Sequence, residues 1–125
     1  MPAATARGND TVRRAILTLS WFAVLMGVGH ILFVFPLEDF RLGHLWFIGS
    51  GIAIAFAGFI NILGQATIQR KSSLLIVLLA NIVMSFLFVI ATTVVQEPQI
   101  YFGIALFSSL TVLTLLLIRA LAHNV

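Results

Sequence analysis

The chain has no cysteine, only three prolines, and no acidic residue inside any of its long apolar stretches; its four carboxylates are Asp10, Glu38, Asp39 and Glu97. Without cysteine, disulfides, thiolate metal sites and thiol chemistry are excluded. Without a carboxylate in an apolar stretch, there is no buried acid through which a transporter would couple protons or ions to a substrate. Charged residues make up 9% of the chain, against about 25% in ordinary soluble domains. Gly-x-Ser-x-Gly, His-Glu-x-x-His and phosphate-cradling glycine loops are absent as well.

What fills the chain instead is hydrocarbon. Residues are 61% hydrophobic with a mean hydropathy of +1.13, and they fall into four runs, 15–37, 44–64, 73–95 and 100–118. Each is close to the roughly 20 residues that a helix needs to cross a hydrocarbon core. The expected fold is all-α, a bundle of four transmembrane helices forming one membrane domain over 13–125. Residues 1–12 are expected as a flexible cytoplasmic tail. Pro36 is expected to close the first helix and Glu97-Pro98 to punctuate the turn between the third and fourth. Such short connections join antiparallel neighbours, giving up-down-up-down order. The first run follows Arg13-Arg14 as a secretory signal would. Its length and the lack of a small-x-small site before Leu37-Glu38-Asp39 predict that it stays in the mature protein.

The net charge of +3 and basic pI are explained by topology. Arg7, Arg13, Arg14, Arg70, Lys71 and Arg119 fall on one side of the weave and Arg41 alone on the other. The positive-inside rule then places both termini and the 65–72 loop in the cytoplasm, and the 38–43 and 96–99 loops outside. These cations meet anionic headgroups of the bilayer, and no nucleic-acid partner is expected.

In lipid, small and polar residues reveal which faces pack together. On the second run, Ser50, Gly51, Ala57, Gly58, Asn61, Gly64 and Gln65 share one side at about 100° per residue, opposite Leu45, Ile52, Phe56, Phe59 and Leu63. Ser20, Ala23, Gly27 and His30 form the matching stripe on the first run. Asn81, Ser85 and Thr92 do so on the third, and Tyr101, Ala105 and Ser108 on the fourth. Gly27, Gly51, Gly58, Asn61 and Asn81 are the expected helix-packing residues. Association with further copies, or with a larger membrane complex, is expected through these faces.

His30 stands out chemically, about two turns inside the expected end of its span, where an imidazole needs a partner or a watery cavity. His44 opens the second run. The two histidines, converging with Glu38, Asp39, Thr92 and Tyr101, would offer ligands for haem or a divalent metal, or a proton relay. His30, His44 and Tyr101 are the candidate cofactor-binding residues. The plainer alternative is a neutral His30 tying helices together. Asn61, Gln65, Asn81 and Ser20 form a second polar group, read as packing. Trp46 and Tyr101 sit where interfacial aromatic belts form.

Two small four-span classes are disfavoured by their key residues: multidrug transporters by the missing buried carboxylate, and fluoride channels by the missing Phe- and Thr-rich filter. Gly27-x-Gly29-His30, followed by Leu45-Trp46-Phe47-x3-Gly51 and Gly58, resembles small uncharacterised bacterial four-span proteins in the neighbourhood of the DoxX-like group. The likeness covers 21–64. It implies the four-helix fold and an inner-membrane location, and carries over no catalytic residue. The expected function is a structural or interaction subunit, or a binder of a lipid-like molecule. The rival classes are a haem, metal or quinone-linked redox protein using His30 and His44, and a small transporter or channel.

Overall fold

The computed structural model describes residues 2–36, 38–67 and 71–123. They form four helices, α1 (Pro2–Leu32), α2 (Leu42–Ala66), α3 (Lys71–Ala91) and α4 (Pro98–His123), and no strand among the described residues. All four are long and apolar enough to cross a membrane, which makes this a multi-pass membrane protein. Leu37, where the first run was expected to end, and Arg70 lie outside the described residues.

The helix boundaries correct the expectations in three places. α1 begins at Pro2 rather than near residue 13, so the segment expected as a tail continues the helix. Proline suits a first helical position, since its fixed φ is already helical and its missing N–H has no intrahelical partner there. At the other end α1 stops at Leu32, well short of Pro36. A proline acts upstream: its ring clashes with the carbonyl four residues earlier, which is that of Leu32, and it forces the preceding residue out of the helical region. α3 ends at Ala91 rather than 95, where the Thr92 and Thr93 hydroxyls donate to the carbonyls of Val89 and Ile90 at 2.7 Å each.

Neighbours in the bundle follow chain order. α1 packs on α2, α2 on α3, α3 on α4 and α4 back on α1, while α1 and α3, like α2 and α4, lie across the bundle from each other. The α1–α2 seam is the tightest. A Cβ added to Gly27 would lie 2.5 Å from the Gly51 carbonyl oxygen, and one on Gly58 would lie 2.8 Å from that of Ser20. These obstacles are backbone and cannot move aside, so glycine is what lets the two helices touch. Along this seam the partner numbers on α1 fall as those on α2 rise.

The faces of α2 match the sequence reading. Gly51, Ala57, Gly58, Asn61, Gly64 and Gln65 are buried, and Leu45, Ile52, Phe56, Phe59 and Leu63 are exposed. Ser50 is the exception, exposed with its hydroxyl donated to the Phe47 carbonyl at 2.8 Å. On α4 the expected stripe is wrong: Tyr101, Ala105 and Ser108 face outward. The buried side is Ile100, Gly103, Leu106, Phe107, Leu110, Thr114 and Leu117. Bulk decides there, because Phe107 and Leu110 are wholly enclosed and fill the bundle interior.

Candidate functional site

Two ends of the bundle are distinguished by their contacts. One end, called the loop end, is where His30 of α1, Gly43 of α2, Val95, and Gln99 of α4 come together around one cleft; the other, called the termini end, is where Arg13 of α1 reaches Gln65 of α2. In the half toward the termini, α2 and α3 are bridged by a reciprocal amide pair. Asn61 Nδ2 donates to Asn81 Oδ1 at 2.7 Å, and Asn81 Nδ2 donates back to Asn61 Oδ1 at 2.9 Å, both side chains being fully buried. Asn61 Nδ2 also donates to its own helix at the Ala57 carbonyl, 2.8 Å away. One turn further, Gly64 seats Val77 of α3. The two asparagines expected to pack helices therefore do so with each other.

Toward the loop end the same two helices diverge and leave a cleft of about 470 Å³. Its α2 wall runs from Gly43 through Trp46, Phe47 and Ser50 to Ile54, its α3 wall from Met84 through Phe88 and Ala91 to Val95. Met26 and His30 of α1 and Gln99 and Ile100 of α4 close the back. The α2 wall covers about 16 Å of helix axis at 1.5 Å per residue, from Gly43 to Ile54. That is half of a hydrocarbon core of about 30 Å.

His30 is the one ionisable side chain in this lining. It occupies the last turn of α1, not a position two turns deep, because the helix ends early. Its ring lies flat on Phe47, with centroids 3.6 Å apart and planes 14° from parallel. It is half-buried, and no described residue hydrogen-bonds to its ring nitrogens. An adjoining hollow of about 440 Å³ shares Met26, His30, Phe47 and Gln99 with the cleft, so the stacked pair borders both spaces.

The other expected participants are elsewhere. His44 Nδ1 accepts the Arg41 backbone N–H at 3.2 Å, so this imidazole caps the start of α2 and does not line the cleft. Tyr101 is 53% exposed and also lies outside it. Glu38 and Asp39 are exposed, Asp39 pairing at 4.0 Å with Arg41. The Thr92 hydroxyl is turned to its own backbone. Among the described residues no three of His, Cys, Asp or Glu come together. The convergence expected around His30 is replaced by Phe47, which stands one turn after His44 on α2 and takes the place against the ring.

The second polar group is more buried than the sequence indicated. Gln65 and Thr114 are 3% and 0% exposed, and the Gln65 carboxamide and Thr114 hydroxyl have no hydrogen-bond partner among the described residues. Arg13 Nη2 donates to the Gln65 carbonyl at 3.3 Å while its Nε is left unpartnered. Ser20 donates to the Ile16 carbonyl of its own helix at 2.6 Å. Sequence reasoning missed Thr114 here, and Met26, Phe88 and Gln99 in the cleft. Only Gln99, a polar residue just inside the start of a span, carried a signal.

Comparison with protein-family models, with curated proteins and with solved structures found no match.

Proposed function

We propose that this chain is a small bacterial inner-membrane protein that holds a lipid-like molecule in the cleft between α2 and α3. One observation carries the reading: a cleft of about 470 Å³, within the usual size of ligand sites, is walled almost wholly by apolar side chains and holds one imidazole to whose ring nitrogens no described residue hydrogen-bonds. In a bilayer such a cleft opens sideways to acyl chains, so its occupant arrives from the membrane. Native mass spectrometry of the detergent-extracted protein is expected to retain a lipid-sized adduct that Ala53→Trp and Ala91→Trp, which fill the cleft, remove. A bare wild-type protein, or equal adduct in the filled variants, overturns the reading.

The bundle is antiparallel in this proposal, with both termini cytoplasmic, supported by six basic residues against one. Cysteines introduced at Phe40 and Glu97 are expected to react with an impermeant reagent from outside, and one at Ala122 only after lysis. Reversal of that pattern inverts the protein. The DoxX-like likeness of residues 21–64 agrees with this fold and location. Self-association, or membership of a larger complex, needs another surface than the one expected, since Gly27, Gly51 and Gly58 are occupied by the α1–α2 seam.

A further inference from the structure

Charge at the loop end, the end at which His30 would hold the head of a ligand, limits what that head can carry. The loop end holds three carboxylates, Glu38, Asp39 and Glu97, against the single guanidinium of Arg41, which already lies 4.0 Å from Asp39. An anionic head entering there meets a field of its own sign. A cationic head is drawn to that field but finds no carboxylate in the cleft lining to receive it once it leaves water. The Ser50 hydroxyl is committed to the Phe47 carbonyl. Trp46 and Gln99 also line the cleft with polar nitrogens but are exposed, whereas His30 is half-buried there with ring nitrogens that no described residue occupies. A neutral imidazole offers one donor and one acceptor, and stacking on Phe47 fixes the plane in which they point.

Depth adds a second limit. Phe47 lies five residues into α2, about 8 Å along its axis, and the lining runs on to Ile54 and Met84 without another ionisable group. Beyond it the Asn61–Asn81 bridge closes the α2–α3 gap.

We propose, building on the lipid-binding reading above, that the ligand is an uncharged single-chain lipid whose head carries one hydroxyl or carbonyl. That group hydrogen-bonds to the His30 imidazole, and the chain runs between α2 and α3 toward the asparagine bridge. Selection is against anions by the field of the loop end, against cations by a lining without a carboxylate, and for the one hydrogen bond at the head.

The protein has two tryptophans, and Trp46 lines the cleft whereas Trp21 does not. In a Trp21→Phe background reconstituted in nanodiscs, Trp46 fluorescence then reports occupancy by a chain bearing a nitroxide near its head. The probes are the labelled octadecanol, the labelled octadecanoate at neutral pH and the labelled octadecane. The alcohol is expected to quench saturably and more tightly than the other two. His30→Phe keeps an aromatic ring on Phe47 but offers no hydrogen bond, and should weaken the alcohol by roughly fivefold, the value of one net hydrogen bond. His44→Ala should leave it unchanged. Equal affinity for all three probes, indifferent to His30→Phe, overturns the head-group inference while leaving the cleft as a chain site. Tightest binding of the carboxylate overturns it too. Absence of saturable quenching by any probe removes the cleft reading with it.

Discussion

The two halves of the bundle use different physics. Toward the termini α2 and α3 are drawn together: Ile16, Ser20, Asn61, Val77, Asn81, Leu110, Thr114 and Leu117 are all at most 1% exposed, Gly64 seats Val77 of α3, and an amide pair bridges the two helices. The glycine seam of α1 on α2 runs through both halves, from Gly58 to Gly51. Toward the loops, Trp46, Phe33 and Val94 are 72%, 85% and 82% exposed, and α2 parts from α3. Apolar burial does not drive helices together in lipid, so only close packing and hydrogen bonds hold them. Between α2 and α3, the half that has both is closed, and the half that has large side chains and no interhelical hydrogen bond among the described residues is open. A ligand-sized cleft is thus a consequence of where the amide bridge and the Gly64–Val77 contact stop along α2.

The largest expected effect comes from putting the same bulky side chain on the two faces of α2, because the α1 seam that crosses both halves is tight at Gly51 as well as at Gly58. A Cβ on Gly58 would meet the Ser20 carbonyl and Val24, whereas one on Gly49 would meet nothing within 4 Å. Gly58→Leu is therefore expected to cost about 1 to 3 kcal/mol or more, as overpacking against backbone does. Gly49→Leu, and Phe56→Leu on the exposed side, should stay within about 0.5 kcal/mol. Thermal unfolding in detergent measures all three. If Gly49→Leu destabilises as much as Gly58→Leu, the packed and exposed faces of α2 do not differ in tightness and the glycine seam is not what holds α1 on α2.

How much of this was legible in the sequence follows from the kind of force involved. Four spans and the buried side of α2 are recorded directly as hydropathy and as a 3.6-residue period of small residues, and both were readable. The end of α1 was misread because a proline acts backward on the carbonyl four residues earlier and not at its own position. On α4 the small and polar rule failed, since Phe107 and Leu110 fill the space in mid-bundle and turn Ala105 and Ser108 outward. Hydroxyls also mislead: those of Ser20, Ser85 and Thr111 are donated to carbonyls four residues earlier in their own helices, and so report nothing about a neighbour. His30 was found because an imidazole in a span is rare. Its actual neighbour, Phe47, was hidden among eleven phenylalanines, and the cleft is empty space between diverging helices that no motif encodes.

A smaller and finer test concerns the bridge itself. Asn61→Ala leaves the Asn81 carboxamide buried without its partner, and Asn81→Ala does the same to Asn61. Each single change is expected to cost about 1 to 2 kcal/mol, at the upper range for interhelical hydrogen bonds in membranes because the orphaned amide has no water to turn to. The double variant removes both groups together, so the second substitution should add less than about 0.5 kcal/mol to the first. A double-mutant cycle on detergent-solubilised protein reads that coupling. The cleft supplies a second readout: with the bridge gone, α2 and α3 can separate further toward the termini, and longer chains should be retained than in the wild type. Additive costs and unchanged chain length would mean that the asparagines sit side by side without holding the helices. The closure of α2 on α3 would then rest on the Gly64–Val77 contact alone.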